Sequence, residues 1–150
     1  MSHRFLPVSW TRAKMIYDAA LLTGVAAYLA AYTWLAPMLG ATPLDDQSLR
    51  MRAFGSCTFL LLTLALAIGP LARLDSRFLP LLYNRRHLGV VTCLLALAHA
   101  SEVLGWYFAF SPTPASVALL TSEPGGIAYI PFGILALTIL TLLAATSHDF

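Results

Sequence analysis

Few side chains in this 150-residue protein can do chemistry, and the most telling of them is His99. It follows Arg86 by 13 residues, and no charged residue lies between them. On a helix that spacing carries the imidazole roughly 20 Å from the arginine, about two-thirds of the way across a bilayer core. A neutral imidazole at such depth needs no counter-charge and offers a lone pair, which suits haem iron. The bland alternative is a histidine that hydrogen-bonds a neighbouring helix. Glu102 comes three residues later, within about 60° of the same helix face. It could orient the imidazole, accept a proton, steer a cation, or simply snorkel to the headgroups.

The remaining candidates are distributed along the same stretch. His87 is 12 residues from His99, a rotation of about 120°, so the two cannot face one direction as stacked ligands. Arg85 is 14 residues from His99 and nearly on its face, about 21 Å away along the axis. Arginine stays protonated and cannot ligate iron. Its fork can bind a haem propionate or a lipid phosphate, a role open to Arg86 as well, beside plain anchoring at the membrane boundary. Cys57 and Cys93 each lie in an apolar stretch with no CxxC or Cys/His cluster, and read as packing residues. The sequence has no GxGxxG, no P-loop, and no nucleophile with a positioned base. If the protein moves electrons, it is at most the membrane component of an oxidoreductase, with the donor and acceptor domains elsewhere.

The elements that must hold these residues are apolar. Hydrophobic residues make up 59% and charged residues 11%, with mean hydropathy +0.76. Soluble domains carry about 25% charge. Four stretches, about 15–38, 53–71, 87–110 and 127–146, approach the ~20 apolar residues that cross a membrane. The second is expected to stop at Gly69-Pro70. These stretches predict an all-α integral membrane bundle of four transmembrane helices, a single domain over 1–150. The first is too long for a signal-peptide core and lacks a small-residue cleavage site, so it reads as a retained helix. Threonines within the spans are expected to bond their own helix backbone.

Orientation follows from the bases. Arg4, Arg12 and Lys14 precede the first span, and Arg73, Arg77, Arg85 and Arg86 separate the second from the third. Only Arg50 and Arg52 fall on the opposite side, in an expected loop with Asp45 and Asp46. The positive-inside rule then puts both termini in the cytoplasm of a multi-pass protein of the inner (cytoplasmic) membrane. Tyr32, Trp34 and the run Trp106 to Phe108 fit aromatic belts at the outer boundary. A net charge of +2 with no Lys/Arg run gives no support for nucleic acid as a partner.

Three ordered features carry a family resemblance. The first is Gly55 near the start of a leucine/threonine-rich helix that ends in Gly69-Pro70-Leu71-Ala72-Arg73. The second is Arg85-Arg86-His87-Leu88-Gly89, and the third is Leu97-Ala98-His99. From Arg52 to Trp106 the chain resembles the ferric reductase-like transmembrane domain, especially a bacterial branch. That branch includes the haem-binding membrane subunit of the periplasmic methionine sulfoxide reductase system. The resemblance implies that His99 is an axial ligand of a haem b, with arginine at position 85 where eukaryotic relatives have a second histidine. It also implies a domain of about six helices, of which this chain is the front part. The second ligand would come from further helices or a partner subunit, and the electrons from a redox partner protein or a quinol. An inner haem between His87 and His148 is a further arrangement the sequence allows. The competing reading is a cofactor-free structural or assembly subunit of a membrane complex. A transporter fits less well, because the spans show no paired broken helices.

Overall fold

The computed structural model describes residues 12–40, 45–109, 114, 117 and 129–146. Every extended element among them is helical: α1 (Arg12–Leu39), α2 (Asp46–Leu74), the short α3 (Leu79–Tyr83), α4 (Arg85–Ala109) and α5 (Tyr129–Thr146). A single 3-10 turn, Ser76–Phe78, leads into α3. Three of these, α1, α2 and α4, are long and apolar enough to cross a membrane. The apolar run of α5, Ile130–Thr146, is shorter.

Two expected boundaries are corrected by the structure. Gly69-Pro70 does not stop the second helix, which runs on to Leu74 with Pro70 inside it. Proline removes one N–H and with it one bond to the carbonyl four residues earlier. So close to a helix end that single loss is tolerable, and membrane helices accommodate it by local adjustment. Pro37 is likewise inside α1, which ends at Leu39. At its other end α2 starts at Asp46, so Arg50 and Arg52 stand on helix and not in a loop. The start is set by Asp45, whose carboxylate accepts the Ser48 N–H at 3.0 Å. An aspartate there satisfies a helix donor that would otherwise lack a partner, and Asp46 in the first turn complements the helix dipole. Hydrogen bonds from Ser48 hold the Asp45 carboxyl below its ordinary range.

The α2–α4 pair forms the centre of the bundle, with α1 laid on α2 and α5 on α4. Their connection is sharply built. Asp75 gives its N–H to Leu71 O and accepts the Arg77 N–H, so one residue closes α2 and opens the 3-10 turn. Asn84 donates its side-chain amide to Pro80 O at 2.9 Å before α4 begins.

Two small clusters are buried. Val25, Cys57 and Leu95 join α1, α2 and α4, while Ala65, Ile68 and Leu88 fill the α2–α4 seam. Cys57 is therefore a packing residue, as its apolar setting predicts. Large apolar side chains such as Phe59, Leu66 and Leu94 stay exposed along the helices. In water such a surface would aggregate; against lipid it is the expected face. Threonines behave as expected in this solvent: Thr58, Thr63, Thr92, Thr138 and Thr141 each donate to the carbonyl four residues back. Even Thr92, fully buried, has its hydroxyl satisfied at 2.7 Å.

Candidate functional site

His99 projects from α4 onto the first turns of α2. Its Nδ1 lies 2.9 Å from the Met51 carbonyl oxygen. A carbonyl can only accept, so the bond requires the proton on Nδ1. In the neutral ring the lone pair then resides on Nε2. The approach is possible because the residue one turn on is Gly55. A Cβ placed there would stand 2.9 Å from Cε1 and 3.1 Å from Nδ1 of the ring. Any larger side chain would have to displace the imidazole. A glycine inside a helix costs about 0.5–1 kcal/mol relative to alanine, and here it makes the notch that receives His99.

With its proton held on Nδ1, the imidazole has the chemistry of a histidine that would hold a haem iron through Nε2. A ligating histidine usually donates its other ring N–H to a carbonyl or carboxylate, which fixes tautomer and ring orientation. The Met51 carbonyl supplies that arrangement. Of the two histidines among the described residues, the other, His87, is about 18 Å further along the same helix. The described residues therefore present one such donor, and His148 lies outside them.

One turn beyond His99, Glu102 faces a different partner from the one its spacing invites. Its carboxylate meets the Arg50 guanidinium at 3.3 Å, and its backbone carbonyl accepts the Gln47 side-chain amide at 3.0 Å. Arg50 also donates to Gln47 Oε1 at 3.2 Å. The imidazole is thus oriented by Met51, while Glu102 ties the end of α4 to the start of α2. Gly105 provides clearance, since a Cβ there would come within 3.0 Å of the Gln47 amide nitrogen. Gln47 and Met51 escape a sequence reading, one being an ordinary polar residue and the other acting only through its backbone.

The opposite end of α4 carries Arg85, exposed, and Arg86, half-buried. The structure does not bring them to His99; they lie 14 and 13 residues away on one helix. His87 beside them is engaged across the bundle. Its Nδ1 is 2.7 Å from Oδ1 and 2.9 Å from Oδ2 of Asp18, with both side chains 20% exposed. Each residue sits just inside the basic boundary of its own span, but the sequence does not set one against the other. A second polar link joins α1 to α2, where the Tyr28 hydroxyl donates to Ser56 at 3.0 Å. Cys93 lies against Thr141 of α5, its sulfur 3.8 Å from the hydroxyl.

Apolar helices with lipid-compatible faces, joined by a few satisfied polar links, define a multi-pass membrane protein. The family is given by comparison with known proteins: the chain belongs to the ferric reductase like transmembrane component family, whose model matches residues 52–150. The match begins at Arg52 and takes in most of α2, with Gly55, then α4, with His99, and α5, extending beyond the Arg52–Trp106 stretch of the resemblance. Helix α1, with Asp18 and Tyr28, precedes the matched stretch. No curated protein and no solved structure is matched.

Proposed function

We propose that the protein is a haem-b-binding transmembrane electron-transfer module, with His99 Nε2 as one axial ligand of the iron. The observation that carries this reading is the His99 Nδ1–Met51 O bond over Gly55. Membership of a ferric reductase-like transmembrane family supports electron transfer across the membrane. In this reading α5 is a fourth span, both termini are cytoplasmic in an inner membrane, and the chain forms the first part of a six-helix domain.

A bound haem would supply reversible one-electron chemistry. The work of the chain is to position and insulate. Met51 holds the Nδ1 proton, keeping the lone pair on Nε2 and making the imidazole a stronger donor. Gly55 sets the ring against α2, and the apolar helices lower the dielectric around it, two of the levers that tune a haem potential. Arg85 and Arg86 serve the far end of α4, about 20 Å from His99 along the helix, where a lipid phosphate is within their reach and a propionate of a haem on His99 is not. Further helices or a partner subunit would supply another residue to hold the haem, and a redox partner protein or a quinol would supply the electrons.

The test is a dithionite-reduced minus oxidised absorption spectrum of the full protein with its membrane partners, beside His99→Ala. A b-type signal lost in the variant is expected. A signal unchanged by His99→Ala, or none in the complete complex, would overturn the assignment. The latter result, with only stability altered by His99→Ala, would favour the cofactor-free structural subunit, for which the Met51 bond is simply a helix–helix contact.

A further inference from the structure

The last turn of α2, which lies within the matched stretch, forms a feature to which the haem reading gives no role. Gly69, Pro70, Arg73 and Leu74, all on α2, line a shallow and largely open recess of about 490 Å³. Their spacing, i to i+4 in two adjacent pairs, places them along one strip of the helix surface. At Gly69 an added Cβ would meet nothing within 4 Å, so the apolar end of the groove is clear.

The depth of this groove is set by its flanking charges. Arg52 and Arg73 bracket the uncharged stretch 53–72. Twenty-one steps of 1.5 Å make about 31 Å, close to the ~30 Å hydrocarbon thickness. Arg73 therefore stands at headgroup level whichever way the chain is oriented. Gly69 and Pro70 lie one turn inside, at the level of the first acyl carbons. Leu66, two turns inside Arg73 and on nearly the same face, is 62% exposed and continues the apolar track.

Charge selects the occupant. Arg73 is exposed and makes no ion pair with any described residue. Asp75 is the single acid between residues 71 and 86, and its carboxylate is already accepting the Arg77 N–H. Arg77 and Arg85 are exposed on the same rim. A cationic headgroup would be repelled there, whereas a guanidinium pairs with phosphate through two parallel bonds.

We infer that this groove binds one anionic glycerophospholipid, its phosphate on Arg73 and the start of an acyl chain along Gly69, Pro70 and Leu66. The binding is a property of a site, distinct from the diffuse attraction any basic rim exerts on an anionic membrane.

Native mass spectrometry of the full-length protein, freed of lipid in detergent, can separate these. Phosphatidylglycerol and phosphatidylcholine of matched chains are the probes. One phosphatidylglycerol retained in preference to phosphatidylcholine is expected. Arg73→Gln should lower its occupancy about fivefold or more, the scale of one basic residue at an anionic surface, while Arg77→Gln, at a residue that does not line the recess, should lower it by clearly less. Gly69→Leu fills the groove without changing charge and should also lower occupancy, with the unfolding temperature confirming that the variant is intact. Equal losses for Arg73→Gln and Arg77→Gln would reduce the effect to diffuse attraction and overturn the site. Equal retention of the two lipids, or full binding by Gly69→Leu, would overturn it as well.

Discussion

The two halves of this bundle treat polar groups in opposite ways. Around His99, where α2 begins and α4 nears its end, each polar side chain described above has a partner within the chain: His99 with Met51, Glu102 with Arg50 and Gln47. At the other end, where α2 stops and α4 starts, Asp18 and His87 pair across the helices, but Arg73, Arg77 and Arg85 reach outward, exposed. The contrast is one of pairing and not of depth, since Arg52 and Arg73 stand at the two boundaries of the uncharged stretch 53–72. At the His99 end Gln47 and Arg50 of α2 lie beside Glu102 of α4, whereas Arg73, Arg77 and Arg85 have water and lipid phosphate available. Glycine shows the same division: Gly55 is filled by a neighbouring ring, and Gly69 opens on space.

The strongest way to break the comparison is to exchange the glycines' fates. Gly55→Leu would thrust a side chain into the His99 ring and should cost about 1–3 kcal/mol by overpacking, with loss of any haem signal. Gly69→Leu, the same change at the open site, should stay within about 0.5 kcal/mol. Unfolding in detergent measures both. Equal effects would mean that the His99 notch does not exist as described.

A smaller effect tests the link to α1. Asp18→Ala and His87→Ala each remove one partner of a partly buried hydrogen bond. Their double-mutant cycle should return a coupling of about 0.6–1.7 kcal/mol, the range for interhelical bonds in membrane proteins. A coupling near zero would reduce the pair to two independent boundary residues. Least should follow from Glu102→Gln. Its Arg50 partner is 47% exposed, and ion pairs at such exposure contribute at most about 1 kcal/mol before salt screening. A loss well above that would show Glu102 to be coupled to His99 after all, which sharpens the view of the whole His99 half.

Much of this architecture was legible along the chain. Long apolar runs set where helices lie, because burying backbone polar groups in lipid leaves few other conformations. The threonine bonds were equally readable, being local to one helix. The helix that carries His99 was legible from the uncharged run that follows Arg86. The boundaries of α2 were less so: hydropathy marks the hydrocarbon level, whereas Asp45 capping and the tolerance of Pro70 carry the helix beyond it at both ends.

What tertiary structure alone decided was pairing. Nothing in the order of residues sets Gly55 opposite His99, Asp18 against His87, or Gln47 and Arg50 around Glu102. Those meetings depend on the rotation and axial offset of one helix against another, which are set by how Cys57, Ile68, Leu88 and Leu95 pack in the seams between helices. Hydropathy is a property of each helix by itself; contact geometry belongs to the pair.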